Sequence, residues 1–335
     1  MKCKLVNVFS DQTLAGNGLT IFYDLEDMTT SKMLSFTQEM RQFESIFVTH
    51  QISRSRFRAK IFTMEEELDF AGHPLIGLGA HLHEEFGVFD EHLWEVELNQ
   101  QLVKLRSQVT ESYYRTSMSQ GQPNNIKQLN QDEKLKILAA LNLSESQTGG
   151  LPLEVISLGL PYLIVPLTQG IARAAINHSQ FEALLAQHGA KFVYVLDISK
   201  AEGRTWDNKG AVEDIATGSA AGAAAYYLFK HGFLVLQHPK SKLTTANTPS
   251  NQPSQTINIS IAQGQYVGRP SRMEVNIIIT DGVVMEVNVS GQVAKVADLK
   301  FTRSALTEGK GIHTKTSEER TRQQVSNSSC HETTC

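Results

Sequence analysis

The sequence predicts an α+β protein made of two similar halves, each a β-barrel-like sheet wrapped around a central buried helix. Three observations predict it. Two segments, 72–82 and 218–228, are almost wholly apolar or small, and a helix without a polar face must be buried on all sides. Short segments with period-two alternation accompany them. In 56–63, Phe57, Ala59, Ile61 and Thr63 alternate with Arg56, Arg58 and Lys60, and Trp94, Val96 and Leu98 alternate with Glu95, Glu97 and Asn99, as half-buried strands do. Both apolar segments also begin at a glycine beside a polar residue, Gly72-His73 and Gly218-Ser219. Each ends near another glycine, Gly87 or Gly232, so one pattern is made twice.

The other elements follow in chain order. Residues 4–10 read as a strand, with Val6 and Val8 on one face and Leu5, Asn7 and Phe9 on the other. Residues 30–41 carry Met33, Phe36 and Met40 at helical spacing. The run 101–131 is polar and weakly patterned, and the crossover between the halves is placed within it. Ser179-Gln180-Phe181-Glu182 fits a capping box, with Gly189 as the stop. Residues 275–280 and 283–289 flank Asp281-Gly282, a dipeptide suited to a tight hairpin turn. The expected division is 1–118 for the first barrel and 119–303 for the second, with a late strand returning to the first. The polar stretch 304–335 lacks the apolar surface to offset its ordering entropy and reads as a mobile tail.

Composition narrows the function. A chain of 335 residues with 41% hydrophobic and 20% charged side chains is an ordinary globular enzyme in composition. The formal net charge of -4 offers no global attraction to nucleic acid or an anionic membrane. No signal peptide or membrane-spanning run is evident. Cys3, Cys330 and Cys335 sit at the chain ends, which argues against a disulfide framework and for the cytoplasm. No Cys-x-x-Cys or His-Glu-x-x-His pair gives a zinc site footing. Gly77-Leu78-Gly79 lacks the third glycine of a dinucleotide fingerprint, and there is no phosphate-binding loop or nucleophile elbow.

The candidate chemistry gathers at the starts of the apolar helices. Unpaired amide N–H groups and the positive end of the helix dipole suit a carboxylate there. Ser219 equally reads as a simple cap, and His73 as a packed side chain. Glu44 precedes the apolar run Ile46-Phe47-Val48. Partial desolvation there suits a general base, while the plainer reading is a solvated helix-end glutamate. Asp214 lies just before Gly218, either as an acid merely stabilised by the dipole or as the second half of an acid/base couple.

Five segments, in order, resemble motifs of the PhzF-like (phenazine biosynthesis) family. They are Asn7-Val8-Phe9 with Gly16-Asn17-Gly18, Phe43-Glu44-Ser45-Ile46-Phe47-Val48, Glu67-Leu68-Asp69-Phe70-Ala71-Gly72-His73-Pro74, Glu213-Asp214-Ile215-Ala216-Thr217-Gly218-Ser219-Ala220 and Gln263-Gly264-Gln265-Tyr266-Val267-Gly268-Arg269-Pro270-Ser271. The resemblance covers roughly residues 1–300. It implies the diaminopimelate-epimerase-like fold and an active site between two barrels. Glu44 would be the acid/base residue, with His73 and Asp214 as further catalytic groups. Gly72, Gly218 and Ser219 would bind a small-molecule carboxylate. It also implies proton transfer at carbon without a cofactor or metal, and it is compatible with a homodimer. Amino-acid epimerases of the same superfamily use a cysteine just before each helix-start glycine. Ala71 and Thr217 stand there, so a two-thiol mechanism is chemically closed to these positions.

Gly18, Asp69 and Ile215 replace usual prolines, and Phe43 replaces a small polar residue; these changes bear on the substrate more than on the reaction type. The expected function is therefore a PhzF-like isomerase. Epimerisation of a hydroxy- or amino-acid is the alternative by the same chemistry, and a non-catalytic binding role on the same fold is the alternative of another class.

Overall fold

The computed structural model describes residues 1–25, 27–110, 113–234 and 254–302; the polar stretch 304–335 lies outside them. The fold below is that of residues 2–299, which form one compact unit. The elements run β1 (Lys2–Val8), β2 (Asn17–Tyr23), α1 (Thr30–Met40), β3 (Glu44–Gln51), β4 (Arg56–Phe62), β5 (Glu67–Leu68), α2 (Gly72–Phe86), β6 (Glu91–Glu97), β7 (Leu102–Val109) and β8 (Tyr114–Ser119). They continue with β9 (Asn124–Gln128), α3 (Gln131–Ala140), β10 (Glu154–Ser157), β11 (Pro161–Leu167), α4 (Phe181–Ala186), β12 (Phe192–Asp197), β13 (Glu202–Arg204), α5 (Gly218–Lys230), β14 (Gln255–Gln263), β15 (Ser271–Thr280) and β16 (Val283–Lys300).

The strands form two wraps around two helices. The order β1-β2-β3-β4-β6-β7-β8-β16 closes on itself through a β1–β16 pairing. That ring holds α2, which touches β1, β2, β3, β6, β7 and β8. The order β16-β15-β14-β13-β12-β11-β10-β9 continues from the shared strand β16, and α5 packs on β11, β12, β14 and β15. The α+β class with two helix-centred sheets is thus observed.

Both apolar segments are helices, for the reason their composition gives. Every residue of α2 from Gly72 to His83 is buried. The barrel wall reaches the helix backbone: a Cβ at Gly77 would stand 2.3 Å from Leu19 Cδ2, and one at Gly79 would stand 2.4 Å from Thr116 Cγ2. Any side chain at these two positions would push the wall outward. Alanines line α5 in the same way, with Ala220, Ala221, Ala223, Ala224 and Ala225 fully buried.

The hairpin between β15 and β16 turns at Asp281 (φ 52°) and Gly282 (φ 76°). Both residues lie in the left-handed region that a two-residue turn of this hand requires. The first strand stops at Val8, two residues before the expected end, because Phe9 swings to φ 64°. That backbone is held by the Phe9 N–H donating to the Gln292 carbonyl (2.8 Å) and by the Phe9 carbonyl accepting from Arg272 N–H (2.9 Å).

One expectation is corrected and one weak pattern is explained. The run 101–131, polar and weakly patterned in sequence, contains β7, β8, β9 and the start of α3. Its alternation is hidden because the inward face includes Ser107 and Thr116, both fully buried. Ser107 is tolerated there because its hydroxyl accepts from Trp94 Nε1 and donates to His83 Nδ1, both at 2.7 Å. The direction is set by His83 Nε2, which donates to the Phe89 carbonyl at 3.0 Å. The capping box at Ser179 is absent, since α4 begins after Gln180 with no side-chain cap. The capping box of an α-helix lies at α3, where Asn130 accepts from Glu133 N–H and Glu133 accepts from Asn130 N–H.

An open cleft of about 500 Å³ is lined by Lys4, His81, Glu84 and Tyr114 among others. It lies two to three turns along α2 from Gly72, roughly 14–18 Å at 1.5 Å per residue. His81 is only 3% exposed. Burial first, then the Lys4 and Lys295 charges, pull its pKa down to about 3, with Asp298 opposing and Tyr23 tilted on the ring. The folded state therefore refuses a proton that the unfolded chain accepts near pH 6.5. Stability is lost as pH falls from 6.5 toward 3, by about 1.4 kcal/mol per pH unit for this one group. In urea unfolding between pH 6.5 and 4, His81→Phe is expected to flatten that decline relative to wild type. An unchanged slope would remove His81 as its source.

Candidate active site

The starts of α2 and α5 meet. A Cβ on Gly72 would stand 3.6 Å from Ser219 N and 3.9 Å from the Gly218 carbonyl carbon. Neither N-cap residue, Ala71 or Thr217, makes a side-chain cap bond. The N-terminal ends of two helices thus lie together without side-chain caps, which favours an anion there.

Glu44 enters as the first residue of β3, its side chain 13% exposed rather than solvated. β3 pairs in parallel with β2, so Glu44 lies opposite Leu19 and close behind Asn17-Gly18. Under it, the buried hydroxyls of Ser45 and Thr20 bond at 2.6 Å and pin the strand. His73, the second residue of α2, places Nδ1 at 3.0 Å from Glu44 Oε2. This is a charge contact set off the line of a well-directed hydrogen bond. Burial disfavours the imidazolium, but the Glu44 carboxylate and then Asp214 outweigh it, and the His73 pKa is raised above 6.5. His73 Nε2 and Asn17 Oδ1 are also buried without a hydrogen-bond partner.

Asp214 faces this pair from the loop before α5. Burial raises its pKa, and Glu44 adds to the rise; the Thr217 hydroxyl and His73 oppose it. Its Oδ1 accepts from Asn17 Nδ2 at 3.1 Å, and its Oδ2 accepts from the Thr217 hydroxyl. Ser219 does not cap its helix: its hydroxyl bonds the Tyr162 hydroxyl at 2.7 Å. Burial pushes the Tyr162 pKa upward, so it remains a neutral hydroxyl.

The structure therefore brings Glu44, His73, Gly72, Asp214, Gly218 and Ser219 into one neighbourhood from both helix-centred sheets. It adds residues to which sequence reasoning gave no role. Asn17, Thr217 and Gln263 stand inside quoted motifs, so a signal existed. Tyr162 had none. Phe43, 38% exposed, immediately precedes β3. Among the described residues no group of three or more His, Cys, Asp or Glu is placed to hold a metal ion. Among them, too, no helix is long and apolar enough to cross a membrane.

Solved structures share this architecture. A predicted epimerase from Pseudomonas aeruginosa is 38% identical and superposes with a TM-score of 0.76, covering 90% of this chain and 98% of its own. A hydroxyproline epimerase from Agrobacterium vitis, solved with trans-4-hydroxy-L-proline bound, shares the fold at 13% identity and a TM-score of 0.51, over 89% of this chain and 91% of its own. The class of the protein is that of isomerases on the diaminopimelate-epimerase-like fold. Trans-2,3-dihydro-3-hydroxyanthranilate isomerase of Pseudomonas chlororaphis is 30% identical over 281 residues, 80% of this chain and 87% of the relative. The Pseudomonas aeruginosa enzyme of that name is 30% identical over 300 residues, 88% and 96% of the two chains. With residues 6–298 matching the family described as phenazine biosynthesis-like protein, the chain belongs to the PhzF family and is an isomerase.

Proposed function

We propose that this isomerase moves a proton at carbon in a small carboxylate, with its own side chains and no cofactor. In this reading the uncapped first-turn amides of α2 and α5, with Ser219, hold the substrate carboxylate. Glu44 takes a proton from a carbon acidified by a neighbouring electron-withdrawing group. His73, in contact with Glu44, can relay the proton afterwards, and Asp214 serves the opposite side. The observation that carries the reading is the convergence of a Glu44–His73 pair, 3.0 Å apart, with Asp214 at the junction where Gly72 meets Ser219. A buried acid/base set with mutually dependent protonation beside an anion-binding helix junction suits proton transfer.

The relatives' named substrate, trans-2,3-dihydro-3-hydroxyanthranilate, is the first candidate. An epimerase reaction is the second reading, favoured by the description of the 38% identical solved structure. Cytoplasm remains the compartment that fits the cysteine usage, and a homodimer fits the family.

Incubation in D₂O with candidate cyclic and acyclic carboxylates tests the reading. One deuterium is expected at the reacting carbon, with a shifted double bond marking the isomerase and an inverted centre marking the epimerase. Tight binding of a carboxylate at the helix junction without carbon exchange would instead make the site a binding module.

A further inference from the structure

The late motif beginning at Gln263 has a physical role that follows from hydrogen-bond direction. Gln263 closes β14 and is fully buried. Its Oε1 accepts from the main-chain N–H of Thr217 at 3.2 Å, and its Nε2 donates to the main-chain carbonyl of Asp214 at 2.8 Å. An N–H can only donate and a carbonyl can only accept, so these two contacts fix which end of the amide is which. The Tyr194 hydroxyl donates to the same Oε1 at 3.1 Å. The second Nε2 proton goes to Thr217 Oγ1 at 3.0 Å.

Thr217 has a single hydroxyl proton, and its oxygen already accepts from Gln263. The proton therefore goes to the remaining neighbour, Asp214 Oδ2. On the other side, Asn17 Nδ2 donates to the Ala216 carbonyl at 3.1 Å as well as to Asp214 Oδ1, which orients that amide too. Both Asp214 oxygens thus face donors whose direction is set by main-chain groups that cannot reverse. We infer that Gln263 is a positioning residue for the reaction: it points the Thr217 hydroxyl proton at Asp214 and so favours the charged form of that carboxyl across the site from Glu44. The residue at the place of a superfamily thiol is thereby made a fixed donor rather than a proton-transfer group.

This inference rests on the proposed part of Asp214 in proton transfer, but it can be read without turnover. The titratable groups that act on Asp214 are His73 from α2, Glu44 from β3, Tyr162 from β11 and Tyr194 from β12. None of them is altered in the test. In protein labelled with carbon-13 at aspartate carboxyls, the Asp214 resonance is assigned with Asp214→Asn and titrated in the substrate-free enzyme. Thr217→Val keeps the shape and removes the donor, and it is expected to raise the Asp214 midpoint by about one pH unit. Gln263→Met should raise it in the same direction. The double variant should match Thr217→Val alone, because Gln263 acts through Thr217. In turnover, the acid limb of kcat should move by the same amount while KM stays within about twofold.

A folded Gln263→Met whose Asp214 titrates as in wild type overturns the inference. If Gln263→Met does not fold, the wild-type Gln263 side-chain amide protons decide. They should shift through the Asp214 titration and lose that dependence in Thr217→Val, and indifference to both overturns it. Failure of the Glu44 assignment would show instead as wild-type turnover in Glu44→Gln, and it leaves the comparison of Asp214 midpoints between wild type, Thr217→Val and Gln263→Met standing.

Discussion

Replacing Glu44 by Gln is expected to lower turnover by about 10²–10⁴-fold, the usual contribution of a positioned acid/base group, with KM changed only a few-fold. The amide has the shape of the carboxylate, and Glu44 opens β3 with its neighbour Ser45 pinned to Thr20, so the strand should stay in place. What is lost is the ability to accept a proton. A second signature separates this from a general packing defect. The Glu44 charge is the main influence raising the His73 pKa against burial. Without it, burial dominates and the imidazole should titrate at lower pH, visible as a shifted His73 ring resonance. Wild-type turnover in Glu44→Gln on a proven substrate would mean that another group is the base.

The largest expected loss of stability comes from Arg204→Met. Arg204 is 7% exposed. Its Nε and one terminal nitrogen grip the two Glu213 oxygens at 2.9 and 2.6 Å. The other terminal nitrogen donates to the carbonyls of Ile171, Ala172 and Ala174 at 3.0, 3.1 and 2.9 Å. The guanidinium lies over the rings of Trp206 and Tyr266, 4.7 and 4.5 Å from their centroids. Methionine fills similar volume but strands the largely buried Glu213 carboxylate and takes the guanidinium donor from all three carbonyls, of which the Ile171 one keeps the Ala174 N–H. Removing one partner of a buried, hydrogen-bonded ion pair costs about 3–5 kcal/mol. Lysine should rescue little, since it offers neither the planar fork nor the stacking. Glu213 also precedes Asp214, whose N–H donates to the Thr205 carbonyl at 3.0 Å, so the surviving folded fraction should turn over more slowly. Urea unfolding measures the cost, and a loss below about 1 kcal/mol would contradict this account of the cluster.

Much of the architecture was legible because it rests on local pattern. The apolar runs of α2 and α5, the alternation of β4 and β6 and the Asp281-Gly282 turn each report a short-range constraint: a periodicity, or a backbone angle few residues tolerate. The failures share one cause. In β7 and β8 the inward face uses Ser107 and Thr116, which are polar in sequence and acceptable inside only because distant partners or close helix packing receive them. The supposed cap at Ser179 failed because capping depends on where the preceding turn carries the chain, which four residues do not fix.

For the candidate site, the chain itself dictated which chemistries had no footing, that no cysteine flanks either helix-start glycine, and that Glu44, His73, Asp214 and Ser219 sit in motif context. It left open whether Glu44 was solvated and whether Ser219 merely capped a helix. Only the tertiary structure decided those points, burying Glu44 against His73 and turning Ser219 toward Tyr162. It alone gave Gln263 a role, through contacts with Asp214 and Thr217 that lie 49 and 46 residues away. The physical reason is one of range. Helix burial and turn type are set by neighbours a few residues off, whereas the charge state of a buried carboxylate and the direction of a hydroxyl proton are set by groups that meet only after the chain has folded.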